Sequence, residues 1–467
     1  MRARNAFISL FLLNRFFPVF KIGLCLITVF FSGLTFGSEI KSDFFTPSIR
    51  FAVISDTHFY DPGLGMAGQA FEEAMTKEIK LFRYSQELLQ AALLEIELAK
   101  VDFLIIPGDL TKDGELASHL ALAEYLDELH NKGIPTFVVP GNHDINNPEA
   151  FSYSGTKPES TETIAPWEFV NIYNKFGYTD ALFKDNYSLS YVVEPAPGLW
   201  LLAIDSCRYP ENIEKAIVGG AISSKTLDWI GMVLLEAELN NKAVIGFMHH
   251  AVLENFAGHA ELLPQFIVEN HELIAHIFAE FGLQLIFTGH THVQDITVNR
   301  WEDKSFLLDI QTGSLLAYPH PYRIVSLKSG FVRINSKFIY DIPGDFGTDG
   351  FYEYSRLFFE NGARQLARKY GLFGFIEDLL VNAYTAHVIG DEQAGASTLQ
   401  TISDLKSSPF PPLKTTGHYL DSIWTDFNPP DNNIQIFLPG RFQEASQFIL
   451  DVWSSLLKDG KKETPTP

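Results

Sequence analysis

Apolar and polar positions along this chain follow two rhythms. Short apolar, β-branched runs read as buried strands: RFAVIS at 50–55, VDFLIIP at 101–107, IPTFVVP at 134–140, AVIGFM at 243–248 and LQLIFT at 283–288. SLSYVVE and LWLLAID read as a strand pair around PAPG at 195–198. Residues 71–100, 115–131, 223–240 and 262–281 carry a helical period, the first with one break. Residues 146–164, rich in Pro, Ser, Thr and Gly, read as a loop. The short strands ITVNR, KSFLLDI, YRIVSLK and FVRINSKFI come last. Alternating strands and helices followed by mostly strands predict a layered α/β (α+β) sandwich over residues 48–342.

The rhythm changes near Pro343. From Tyr352 onward the periods are helical and almost no strand appears. YSRLFFENGARQLARKY, FGFIEDLLVNAYTAHVIG and RFQEASQFILDVWSSLL are the clearest helices. Residues 345–460 therefore read as a separate all-α C-terminal domain, and the tail GKKETPTP as disordered. The apolar stripes of this domain read as core, with a dimer or membrane face as the alternative. There is no internal repeat.

The first 37 residues differ from the rest. Arg2, Arg4, Arg15 and Lys21 precede any acid, and an apolar stretch from Ile22 to Phe36 ends in Gly37 and Ser38. A cationic start, a short apolar run and a small-residue exit describe a signal peptide. The run is shorter than the roughly 20 residues a bilayer span needs, so a cleaved leader is favoured over an anchor. The expected location is periplasmic or extracellular. Removing the leader would carry the net charge from −22 to −26. Such a surface repels nucleic acid and anionic lipid, which leaves a small substrate as the expected partner. The cysteines are Cys25 and Cys207, so the mature chain forms no internal disulfide. Cys207 reads as a small buried residue at a strand end, not a nucleophile.

The chemistry collects at strand ends. Asp56 and His58 follow the first strand, Asp109 the second, and Asn142, His143 and Asp144 the third. His249 and His250 follow AVIGFM, and His290 and His292 follow LQLIFT. Ligands of open α/β sheets gather where strands end at their carboxyl edge. Residues i and i+2 past a strand can face one pocket. Imidazole and carboxylate without thiolate suit Mn, Fe or Zn. The donors are too many for one ion, and a central carboxylate, Asp109, suits the bridge between two. A pair of divalent ions would supply the positive charge that this acidic chain lacks. Water held between them becomes acidic enough to attack phosphorus in line.

In order, DTH, GD, GNHD, HH and GHTH resemble the calcineurin-like metallophosphoesterase superfamily over roughly residues 50–340. The helical addition is similar to that of bacterial class III cyclic nucleotide phosphodiesterases. The resemblance implies an αββα core and two divalent transition-metal ions. Asp56, His58 and His292 would hold one ion, Asn142, His249 and His290 the other, and Asp109 would bridge. His143 would contact the phosphate and protonate the leaving alkoxide. Asp144 would orient His143 or brace its loop. The family often has proline after the double histidine, whereas Ala251 and Val252 stand here. His250 is read as structural.

The implied activity is hydrolysis of phosphodiesters, 3′,5′-cyclic nucleotides among them. The alternatives are a phosphomonoesterase or nucleotidase, and a non-catalytic scaffold binding through the helical domain.

Other features read as structural. His119, His130, His271 and His276 lie in helical stretches and read as solvated or capping residues. His259 reads as a loop residue with a minor prospect of overhanging the site. Asp205 reads as a loop brace. Phe59, Tyr60 and Tyr209 could stack on a base or pack a loop. GLGMAG at 63–68 lacks the lysine and threonine of a phosphate loop.

Overall fold

The computed structural model describes residues 48–438, apart from 77, 329 and 426. The leader, the helix expected at 441–457 and the tail lie outside the described residues. The strands are β1 (Ile49–Val53), β2 (Phe103–Pro107), β3 (Thr136–Val139), β4 (Phe151–Ser152), β5 (Glu159–Ser160), β6 (Phe183–Lys184), β7 (Tyr191–Ala196), β8 (Leu199–Ile204), β9 (Ala243–Met248), β10 (Leu285–Thr288), β11 (Asp295–Arg300), β12 (Phe306–Gln311), β13 (Pro321–Lys328), β14 (Phe331–Phe338) and β15 (Asn433–Phe437). The helices are α1 (Gln69–Met75), α2 (Ser85–Leu98), α3 (Leu116–Asn131), α4 (Pro166–Ile172), α5 (Ser224–Leu239), α6 (His259–Leu262), α7 (His271–Glu280), α8 (Gly350–Lys369), α9 (Phe375–Ile389), α10 (Ala396–Lys406) and α11 (Pro411–Ile423).

Two mixed sheets carry the site. One runs β15-β14-β13-β1-β2-β3, with β1, β2 and β3 parallel. The other runs β11-β12-β10-β9-β8-β7-β6, with β8, β9, β10 and β12 parallel. Alternation along β8 shows the layering. Leu199, Leu201 and Ala203 join the buried cluster of β1, β2 and β3. Trp200, Leu202 and Ile204 join a second cluster with Ile230, Val233 and Leu234 of α5 and Phe278 of α7. Successive strand residues face opposite ways, so one face of this sheet meets the first sheet and the other meets helices. Leu88 and Leu89 of α2 and Leu122 and Leu126 of α3 complete the first cluster. Phe51 stacks on Phe103 within its sheet at 4.8 Å and meets Phe287 of the other sheet edge-on at 5.4 Å. Such aromatic pairs contribute about 0.5–1.5 kcal/mol beyond their buried area. The Tyr191 hydroxyl crosses between sheets to donate to Val138 O at 2.7 Å, so its burial leaves no orphaned polar atom.

The helical period at 71–100 resolves into α1 and α2, with a linking segment between them. Helices α8 to α11 occupy residues 350–423. Periodicity predicts almost no strand beyond residue 343. The structure adds β15, which pairs antiparallel with β14 from Phe331↔Phe437 to Asn335↔Asn433. Its five residues, NIQIF, are too short for a periodic signal and follow a Pro- and Asn-rich stretch. Only the partner strand reveals it. Arg323 of β13, fully buried, ties this return to the sheet by donating to Asp431 O, Gln311 O and the Ser336 hydroxyl. Among the described residues no helix is long and apolar enough to cross a membrane.

Candidate active site

The carboxyl ends of β1, β2, β3, β9 and β10 converge. Five residues just past them take left-handed backbone angles: Asp56 (φ 50°), His58 (φ 38°), Asp109 (φ 47°), His290 (φ 66°) and His292 (φ 59°). Each such L-residue costs about 1–2 kcal/mol. Strain of this kind persists where surrounding structure over-determines it, and it collects at functional sites. Two glycines let the strand ends touch. A Cβ at Gly141 would come 2.0 Å from Asp109 N, and one at Gly289 would come 2.1 Å from Ser55 Oγ.

Two donor groups result. In the first, ligand atoms of Asp56, His58, Asp109 and His292 all lie within 4.8 Å of one another. His58 Nε2 is 3.1 Å from His292 Nε2, which is 3.2 Å from Asp56 Oδ1. In the second, His249 Nε2 is 3.0 Å from both Asn142 Oδ1 and His290 Nδ1. Asp109 lies between them, with Oδ1 3.4 Å from His249 Nε2 and Oδ2 3.6 Å from His58 Nε2. His250 also lies close to His249 and His290. Its two ring nitrogens, however, are engaged by Ser206 Oγ at 2.8 Å and Val218 O at 2.9 Å, so we assign it a structural role.

The donor set fits a cation. His249 Nδ1 faces Pro107 O at 3.0 Å and must carry a proton. His290 Nε2 faces Gln265 O at 3.0 Å and must carry one too. The remaining nitrogens, His249 Nε2 and His290 Nδ1, then point lone pairs at each other and at Asn142 Oδ1. A proton or a metal ion must lie among them. Burial holds His58 and His290 well below the usual imidazole range, in the neutral form that binds metals. Burial also works against charge on His249, yet the Asp109 carboxylate outweighs it and pushes His249 up to about 9. Burial would raise Asp109, and the imidazoles of His249 and His143 outweigh it, holding the carboxyl well below its usual range.

His143 is partly exposed and held from two sides. Its backbone N–H donates to Asp109 Oδ1 at 3.0 Å, and its Nδ1 lies 2.8 Å from Asp113 Oδ1. Nε2 is 3.9 Å from Asp109 Oδ2 and faces the donor groups. Burial pulls the His143 pKa down, but Asp109 and the Asp113 bond outweigh it, and the net direction is up. Asp113 is in turn paired with buried Lys112.

The motifs do not single out Asp113; the family resemblance implies instead that Asp144 orients His143 or braces its loop. The structure gives Asp144 the second role alone. It accepts from Gly141 N at 2.7 Å, Thr111 N at 2.9 Å and Leu110 N at 3.1 Å. The available signal for Asp113 was an acid four residues past Asp109, followed by glycine. His119 also departs from its expected solvated or capping role. It is fully buried, with Nδ1 2.8 Å from Tyr173 Oη and Nε2 2.9 Å from Asp144 O. It props the Asp144 turn, and burial holds its pKa down at about 3.

Asp205 braces its loop as expected, accepting from Leu189 N, Cys207 N and the Tyr209 hydroxyl. Phe59 and Tyr60 are buried packing residues, and His259 is buried against Phe256 at 5.2 Å.

A family model for the calcineurin-like phosphoesterase matches residues 49–294. A probable cyclic nucleotide phosphodiesterase of Vesicomyosocius okutanii subsp. Calyptogena okutanii (strain HA) is 33% identical over 84 residues, 18% of this chain and 34% of that protein. The chain thus matches about a third of that relative's length. Among solved structures, a dimetal phosphatase from Danio rerio is 18% identical, with a TM-score of 0.45 over 63% of this chain and 97% of that one. A putative 5′-nucleotidase from Staphylococcus aureus is 15% identical, with a TM-score of 0.38 over 67% and 58%. The family match covers more than half of the chain and contains all five converging strand ends. This chain belongs to the calcineurin-like phosphoesterase family.

Proposed function

We propose that the protein is a dinuclear metal-dependent phosphoesterase that hydrolyses phosphodiesters, 3′,5′-cyclic nucleotides among them. The observation that carries this reading is the Asp109 carboxylate, set between two donor groups whose lone pairs converge. Asp56, His58 and His292 would hold one transition-metal ion, Asn142, His249 and His290 the other, and Asp109 both. Such a pair, when bound, supplies Lewis acidity to the phosphoryl oxygens and an acidic water as nucleophile.

The chain's own groups do the rest. Asp113 accepts from His143 Nδ1–H and favours the imidazolium, which carries a proton on both nitrogens. His143 Nε2, turned toward the donor groups, gives its proton to the leaving alkoxide. A positioned acid of this kind contributes typically 10²–10⁴ in rate. Asp144 and His119 hold the turn that presents it. The diester preference draws support from the 84-residue match to a probable cyclic nucleotide phosphodiesterase. The −22 net charge disfavours polymeric nucleic acid and suits a small substrate.

The test is metal analysis of the purified protein, followed by a panel of cyclic nucleotides, linear diesters and monoesters with Mn²⁺. Close to two ions per chain and turnover abolished by a chelator are expected. A metal-free protein that stays inactive in Mn²⁺ would sink the reading. We extend the proposal to export through residues 1–37, which sequencing of the mature N-terminus tests. A start at Met1 would point to an anchor.

A further inference from the structure

The segment between α1 and α2 runs past the site. Leu81 N donates to Leu316 O at 2.8 Å, and Lys80 pairs with Ala317 in an antiparallel bridge. The same 314–317 stretch lies along the end of β1. Ser55 and Ser314 form a parallel bridge, Leu315 N donates to Ser55 O at 3.0 Å, and the Ser314 hydroxyl donates to Asp56 O at 2.8 Å. Lys80 is thus tied through the 314–317 turn to the backbone of Ser55 and Asp56. Lys80 Nζ lies 5.3 Å from the centre of the Phe82 ring, which stands edge-on to His58 at 6.2 Å.

Two lysines flank Phe82. Lys112 Nζ is 5.1 Å from the ring, buried, and neutralised by Asp113. Lys80 is half-buried and, among the described residues, has no carboxylate within ion-pair reach. Of the two ammonium groups on Phe82, Lys112 is neutralised by its neighbour and Lys80 is not.

The helical region presses on this segment from behind. A Cβ at Gly362 of α8 would come 2.5 Å from Glu78 O and 2.8 Å from Ile79 Cγ2. Ile79 packs with Val293, Tyr318, Phe359 and Val388.

We infer that Lys80 binds an anionic oxygen of the substrate's phosphoryl group, and that α8 holds it in place through Glu78 and Ile79. The inference rests on the phosphoesterase reading. An ammonium is a compact point charge with three donors, suited to a phosphoryl oxygen whose direction changes during reaction. A monoester dianion gains more from it than a diester monoanion, so Lys80 weights the choice between the two.

The experiment uses the full chain loaded with Mn²⁺. Wild type, Lys80→Met and Lys80→Arg are compared in metal content, inorganic phosphate affinity by calorimetry, and kcat/KM on p-nitrophenyl phosphate and bis-p-nitrophenyl phosphate. The expected result for Lys80→Met is unchanged metal content, phosphate affinity reduced about tenfold, and kcat/KM reduced about ten- to hundredfold, more on the monoester. Lys80→Arg recovers part of each. Gly362→Ala is expected to weaken phosphate binding in the wild type and to add nothing to Lys80→Met. Unchanged phosphate affinity in Lys80→Met, or losses that track lost metal, would overturn the assignment. Additive effects of Gly362→Ala would overturn the positioning by α8. A wild type that hydrolyses no ester fails the phosphoesterase reading separately, and the calorimetric phosphate comparison still decides Lys80.

Discussion

His143 Nδ1 and Asp113 Oδ1 stand 2.8 Å apart, while the opposite nitrogen of the same ring faces Asp109. The ring is therefore oriented by one carboxylate and aimed by its backbone at another. Replacing Asp113 with Asn keeps the volume and loses the charge. We expect a kcat loss of about tenfold or more on esters with alkyl leaving groups and little loss on p-nitrophenyl esters, whose leaving group needs no proton. Metal content should stay at the wild-type level. Equal losses on both ester types would show that Asp113 acts on something other than proton donation.

Asp109 and His249 separate the two proposed ions. Asp109→Ala removes a carboxylate that faces both donor groups, so both ions should be lost. His249→Ala removes a donor from one group and should leave about one ion per chain. Elemental analysis after dialysis reads the difference. Two ions retained in Asp109→Ala would refute the bridging role.

Arg323 should matter to stability more than any surface cation. It is buried, and its donors also reach Thr312 Oγ1. Burial works against its charge and brings its pKa down to about 10, with nearby Asp431 and Asp295 offsetting part of that. Arg323→Met would take the buried donor away from Asp431 O, Gln311 O and the Ser336 hydroxyl, at a cost of about 1–3 kcal/mol for each group left unpaired. Hydrogen exchange should rise first at Ile434 and Ile436 of β15, whose approach to the sheet runs through Asp431. Protection of β15 equal to wild type would count against this tie.

Asp309 supplies a pH-dependent term. Its carboxylate accepts from Val252 N, Leu253 N and the Thr288 hydroxyl. Burial nevertheless outweighs these bonds and raises its pKa from 3.8 to about 6. The folded state holds this proton more tightly than the unfolded one, so stability falls as pH rises from about 4 through about 6. Asp309→Asn removes that term. Its unfolding free energy relative to wild type should improve by about 3 kcal/mol between pH 4 and pH 7, measured by urea titration. Parallel pH profiles for the two proteins would contradict the prediction.

Much of the site is legible in the sequence because strand ends are local. An apolar run says where a buried strand stops, and the next polar residues must lie at the sheet's edge. That is why Asp56, His58, Asp109, Asn142, His143, Asp144, His249, His250, His290 and His292 can be placed at the sheet's edge from the chain alone, and why the layered fold follows from the order of the runs; their sorting into two ligand sets comes from the family resemblance. The contacts that refine the site are not local. Asp113 looks like one more turn acid until β2 and β3 bring it against His143. His119 looks like a helix-surface residue until the Asp144 turn and Tyr173 close over it.

Strand β15 and Lys80 make the same point. NIQIF is too brief for a period to register, and it becomes a strand through the free edge of β14. Lys80 sits at the break in a helical pattern, a position the sequence marks only as a gap. What the sequence by itself determined is the inventory of donors and the layered sheets that present them, since both depend on residue type and on periods of two and 3.6. What only the tertiary structure decided is which charge faces which. That depends on segments far apart in the chain arriving within a few ångströms, where burial strengthens each interaction.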